Sequence, residues 1–169
     1  MRAPPVAIVV TASSPPPTPR EAAWQAWFDG SACPNPGRLG LGVLLIGPDG
    51  RHGEYSEIAP GQGCNNEAEL LALEMALRLA REHGARHLVL RSDSDFVVRH
   101  VGGEARTEVP RLQTRLRQVR QLMAGFASCQ LSWVPRHRNR AADRLSRAAL
   151  GLPDKPALHP GVLRRRRRA

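Results

Sequence analysis

The 169-residue chain carries 25 Lys and Arg against 15 Asp and Glu, a formal charge of +10, and half of that excess lies after Gly151. The length suffices for one domain with a full core, while three widely spaced cysteines exclude a disulfide framework or zinc knuckle and make a reducing cytoplasm the expected setting. No stretch is long and apolar enough for a membrane span, the apolar run at residues 6–10 is too short for a signal sequence, and the basic balance favours an anionic partner such as nucleic acid.

Residues 1–22, rich in Pro, Ala, Ser and Thr, are expected to form a disordered leader. A domain over 23–151 and a flexible basic tail over 152–169 follow. Strands are predicted at 24–29 and 39–46, and the "GPDG" turn at Gly47–Gly50 leads into a third near 52–58. Asn65 or Asn66 can cap a long helix ending near His83 and Gly84. A fourth strand at 87–92, a short helix at 95–101 and a helix from Pro110 to about residue 124 come next. A fifth strand at 129–134 and a helix over 139–150, stopped by Gly151, complete the pattern. Three meandering strands followed by strand–helix alternation predict an α/β fold, a five-stranded mixed sheet flanked by helices.

The acids carry the functional signal. At about 100° per residue, Glu67 shares a face with Glu74, Arg78, Arg81 and Glu82, which predicts an ordinary surface acid. Glu69 falls among Leu73, Ala76 and Ala80. A carboxylate on that packed face needs a cation or a metal beside it. Asp29 and Asp93 are each placed where a strand ends. Asp93 is read equally as the cap of the short helix that follows it, and Asp95 suits that helix's first turn. Asp143 lies between a wet face of Arg140, Arg144 and Arg147 and a dry face of Ala141, Ala142, Leu145, Ala148 and Ala149, so an ion pair with a neighbouring Arg also accounts for it. If the first and fourth strands are neighbours, Asp29 and Asp93 approach each other, and several carboxylates gathered in one place would suit Mg²⁺ or Mn²⁺ as all-oxygen ligands.

"FDGSACPNPG", "NNEAEL", "RSDSDFVV" and "NRAADRLSRAA" together resemble, in order and spacing, the successive motifs of type 1 ribonuclease H. The short segment between Phe96 and Pro110 is similar to the compact bacterial and archaeal subgroup that lacks a basic handle. The resemblance implies a ribonuclease H-like fold and a metal-dependent endonuclease that hydrolyses the RNA strand of RNA–DNA hybrids to 5′-phosphate and 3′-hydroxyl ends. It implies catalytic and metal-binding roles for Asp29, Glu69, Asp93 and Asp143. Asp29 and Asp143 would hold the ion that activates water, and Asp29, Glu69 and Asp93 the ion that stabilises the leaving oxygen. Asn35, Asn65 and Asn66 match substrate-contacting positions, and His137 matches an auxiliary histidine; helix capping and a plain surface histidine are the other readings. Arg136, Arg138 and Arg140 stand as phosphate contacts or as a solvated basic turn. Asp95 replaces a frequent Gln, and Cys64 a hydroxyl residue that often holds a DNA phosphate. The Arg164–Arg168 run would add salt-sensitive phosphate affinity or be inert. A hybrid duplex partner, no membrane and a monomeric state are expected. A same-fold nuclease with another nucleic-acid substrate and a non-catalytic hybrid-binding module are the alternatives.

Overall fold

The computed structural model describes residues 8–11 and 22–156. In chain order these form β1 (Ile8–Thr11), β2 (Trp24–Cys33), β3 (Gly37–Ile46), β4 (His52–Gly63), α1 (Asn65–Glu82), β5 (His87–Ser92), α2 (Asp95–Val101), α3 (Pro110–Ala124), β6 (Ser128–Trp133) and α4 (Arg140–Ala149), with a 3₁₀ turn at Arg136–Arg138. The sheet order is β1-β6-β5-β2-β3-β4. β2, β3 and β4 pair antiparallel, β5 joins β2 and β6 in parallel, and β1 pairs antiparallel with β6.

The five expected strands and four expected helices are all present, and a sixth strand comes from the segment expected to be a disordered leader. The run "IVVT" is rich in β-branched residues and pairs with the edge that β6 would otherwise leave open. The tail expectation also changes. Residues 152–156 turn back along α4, held by Leu152 N–H on the Arg147 carbonyl (2.9 Å) and by Arg147 Nε on the Pro153 carbonyl (2.9 Å). The Arg164–Arg168 run and the remaining leader residues lie outside the described residues.

Two glycine-dependent contacts position the helices. In β2 and β3, Asp29 pairs with Gly42 and Gly30 with Leu41, so side chains at 29 and 42 face one side of the sheet and those at 30 and 41 the other. A Cβ on Gly30 would lie 2.1 Å from the Ala68 carbonyl carbon of α1, and one on Gly42 2.4 Å from the Ala142 carbonyl oxygen of α4. The backbone of α1 therefore rests on one face of β2 and that of α4 on the opposite face of β3. The core lies mainly on the α1 side. Leu70, Leu73 and Leu77 of α1 and Leu112, Leu116, Val119 and Met123 of α3 are buried there with Phe28, Leu88, Leu90 and Leu131.

Candidate active site

The site forms where a ladder stops. β2 and β5 pair from Trp24–Leu88 to Trp27–Arg91 and then part, while β2 runs on to Cys33 along β3. Asp29 is thus inside a strand rather than at its end, the expectation being corrected by the longer β2–β3 hairpin. It is still beyond the last β2–β5 pair, and extending that register brings Asp29 level with Asp93. The backbone groups that β5 no longer reaches need other partners. Asn139 Nδ2, at the start of α4, donates to the Phe28 carbonyl at 2.9 Å, and the Gly30 N–H donates to Glu69 Oε2 at 3.2 Å. The split ladder itself draws in a side chain from each helix.

Asp29 is buried, and its carboxylate accepts hydrogen bonds from Ser146 and, at 3.5 Å, from Ser31. Burial pushes its carboxyl up to about 7; the Ser146 bond opposes this, while the charges of Asp93 and Asp143 add to it. Glu69 is held well above the ordinary carboxyl range, first by burial and then by Asp29 and Asp93. Asp93 Oδ1 accepts from Asn139 Nδ2 at 2.8 Å, and its Oδ2 lies 3.6 Å from Arg136 Nε. Ser94, not Asp93, caps α2, its hydroxyl accepting from the Val97 N–H at 3.2 Å, so the Asp93 carboxylate is free to face the other acids. Asp143 pairs with Lys155 from the returning segment rather than with an Arg of its own helix.

All four predicted acids therefore converge on one place. Among the described residues, no group of three or more His, Cys, Asp or Glu side chains is arranged so that it could hold a metal ion as it stands. Protein cations sit on two of the four, Arg136 on Asp93 and Lys155 on Asp143. The donor set nevertheless fits a hard divalent cation, since it is all oxygen, and burial, with repulsion among the acids added to it, raises two of its members.

Other expectations divide. Asn35 and Asn65 lie together beside the start of α1: Asn35 Oδ1 accepts from the Asn65 N–H (3.1 Å) and Asn65 Oδ1 from the Ala32 N–H (2.8 Å). Cys64 occupies the N-cap of α1 and makes no side-chain cap bond, so neither Asn65 nor Asn66 caps the helix; Asn65 ties it to the β2–β3 turn instead. Asn66 is exposed next to it. His137 is exposed on the 3₁₀ turn and lines a cavity that Asp143 also lines. Asp95 is exposed and pairs with Arg99 at 3.7 Å. Glu67 contradicts its predicted surface role. It is buried and paired with Arg111 (3.2 Å) and Arg115 (3.6 Å), because α3 lies across the charged face of α1. On α4, Ser146 is buried whereas Ala148 is exposed. Ser146, Asn139 and Lys155 were not singled out from sequence. A serine among the apolar positions of α4, one turn after Asp143, was the available signal for the first.

The arrangement defines a class: a carboxylate centre on a ribonuclease H-like sheet, with a compact connection over 102–109 between α2 and α3. Comparison with known proteins gives the family. Residues 27–149 match the family model described as Reverse transcriptase-like. Ribonuclease HI of Halobacterium salinarum is 35% identical over 125 residues, which is 74% of this chain and 63% of that protein, so the chain spans under two thirds of the relative's length. The crystal structure of RNase H1 from the same archaeon superposes with a TM-score of 0.73 at 34% identity, covering 77% of this chain and 98% of that one. LC11-RNase H1, solved in complex with RNA/DNA hybrid, gives a TM-score of 0.69 at 27% identity over 76% of this chain and 96% of its own. The chain belongs to the type 1 ribonuclease H family.

Proposed function

We propose that the protein is an endonuclease that hydrolyses the RNA strand of RNA–DNA hybrids, leaving 5′-phosphate and 3′-hydroxyl ends. The observation that carries this reading is the convergence of Asp29, Glu69, Asp93 and Asp143 where β2 and β5 part, with Asp29 raised to about 7 and Glu69 raised too. A cluster of acids in which two are raised by burial contributes nothing to the core, and a phosphate would be repelled by it unless cations intervened. The likeness to an RNase H1 solved with RNA/DNA hybrid supports the substrate class.

Asp29 and Asp143 would hold one divalent cation, and Asp29, Glu69 and Asp93 a second, Mg²⁺ or in its place Mn²⁺. Bound there, the ions would supply an activated water and neutralise charge growing on the phosphate oxygens. The chain's own groups do the rest. Ser146 and Ser31 hold the Asp29 carboxylate, and Asn139 orients Asp93 while completing the Phe28 carbonyl. Glu69 is anchored by the Gly30 N–H. Asn35, Asn65 and Asn66 present amides at the rim, where a side-chain oxygen accepts from a 2′-hydroxyl and an amide donates to a base edge. Contacts of that kind separate RNA from DNA.

The test is cleavage of labelled RNA–DNA hybrid, double-stranded RNA, double-stranded DNA and single strands in Mg²⁺ or Mn²⁺, with Asp29→Asn alongside. Hybrid cutting in the RNA strand, lost in Asp29→Asn, is the expected result. Tight hybrid binding without cutting in either metal, or preference for another duplex, overturns it.

A further inference from the structure

Beside Asp143 lies a cavity of about 770 Å³ formed by the 3₁₀ turn, α4 and the returning segment. Its lining includes four cations, Arg136, Arg140, Arg144 and Lys155, against two acids, Asp143 and Asp154. Three of the cations are already engaged: Arg136 with Asp93, Arg144 with Glu54 at 2.8 Å, and Lys155 with Asp143. Arg140 is exposed and, among the described residues, has no ion-pair partner. Two of the three existing pairs use carboxylates of the acid cluster. A divalent cation seated on Asp143 or Asp93 competes directly with Lys155 or Arg136 for those oxygens. Once displaced, each side chain is a long, flexible cation at the mouth of a cavity with surplus positive charge, beside the point where a phosphodiester is cut.

We propose that this cavity is a subsite for the backbone of the cleaved strand next to the scissile phosphate, in which Arg140 is the standing phosphate contact and Lys155 moves from Asp143 to a phosphate when the acid cluster is loaded. The inference rests on the nuclease reading of the same site. A single strand's backbone suits the cavity better than a free mononucleotide, because the cations are spread along three chain segments rather than focused on one point. Lys155 is the only lysine of the chain, and its four-carbon stem lets the ammonium swing between the two anions without moving the backbone. His137 shares the lining and offers a ring N–H donor there.

The experiment uses the full chain and a labelled RNA–DNA hybrid. Binding is followed by fluorescence anisotropy in EDTA across a salt titration, and steady-state cleavage is measured in Mg²⁺. The proteins compared are wild type, Arg140→Ala, Lys155→Gln and Arg117→Ala, the last an exposed residue of α3 that is not part of the cavity lining. Arg140→Ala should reduce the log–log salt slope by about 1, equivalent to up to about tenfold weaker binding near 0.1 M salt. Lys155→Gln should raise KM by a similar factor in Mg²⁺ with kcat within about twofold of wild type. Arg117→Ala should change neither. Equal slope losses for Arg140→Ala and Arg117→Ala would reduce the cavity to general surface charge and overturn the proposal. An unchanged KM for Lys155→Gln with a lower Mg²⁺ requirement would make Lys155 a simple counter-ion of Asp143, also overturning it. All three substituted side chains are exposed, and unchanged melting temperatures establish that the variants are folded. If wild type binds hybrid but does not cut it, the nuclease reading fails while the EDTA slopes still decide the subsite.

Discussion

Replacing Asp29 by Asn should make the metal-free protein more stable while abolishing hybrid cleavage. The Asp29 carboxyl is buried and held at about 7 rather than 3.8. An acid raised on folding binds its proton more tightly in the native state. Between about pH 4 and pH 7 the native form therefore holds more protons than the unfolded chain, and stability falls as pH rises through that window. Above pH 7 the full cost of an ionised Asp29 is present, about 4 kcal/mol at the upper limit from the two values. Asn keeps an oxygen able to accept from Ser146 and removes the charge that also raises Glu69. Allowing for sharing of this cost with Glu69, Asp29→Asn should gain about 2–4 kcal/mol at pH 8 in EDTA, or roughly 6–12 °C in melting temperature for a domain of this size. The assay is thermal unfolding of both proteins in EDTA at pH 8 and pH 5. At pH 5 Asp29 is neutral in the folded protein but still ionised in the unfolded chain, so the gap should shrink to roughly 40% of its pH 8 value and close only below about pH 4. Added Mg²⁺ should stabilise wild type more than the variant. A wild type equal to or more stable than Asp29→Asn at pH 8, or a gap independent of pH, would refute the reasoning that buried charge is the cost.

Ser146→Ala removes the hydrogen bond that lowers Asp29, so the fall of stability with rising pH, followed by thermal unfolding in EDTA, should extend to higher pH than in wild type. Glu67→Gln should lower stability by about 1–3 kcal/mol in urea unfolding by breaking the Arg111 and Arg115 pairs, yet keep kcat near wild type; Glu69→Gln should lose most activity. Gly30→Ala should cost more than about 3 kcal/mol or prevent folding, because its Cβ would meet α1 backbone at 2.1 Å; denaturant melts followed by circular dichroism give the measurement.

The two glutamates of α1 show how far a one-dimensional pattern carries. Periodicity correctly set Glu69 apart as an acid needing compensation, since it lies on the same turn pattern as buried Leu73, Ala76 and Ala80. The same rule placed Glu67 in water, and α3 covers it with two arginines instead. A helical wheel separates faces but does not say which charged face meets another helix. Asn65 is a related case: its residue type suits a cap, but its side-chain oxygen accepts from the Ala32 N–H near the end of β2 instead.

Strand and helix order and the mixed sheet were determined by local properties: alternation, turn residues and capping chemistry; the set of four acids followed from the resemblance to type 1 ribonuclease H. What only the tertiary structure decided were relations across distant segments. These include β1 on the edge of β6, the parting of β2 from β5 that draws Asn139 and Glu69 onto vacated backbone groups, Ser146 beneath Asp29, and Lys155 folded back onto Asp143. Local sequence sets the preference of each segment, whereas the partner of a buried charge is chosen by whichever chain packing brings within reach.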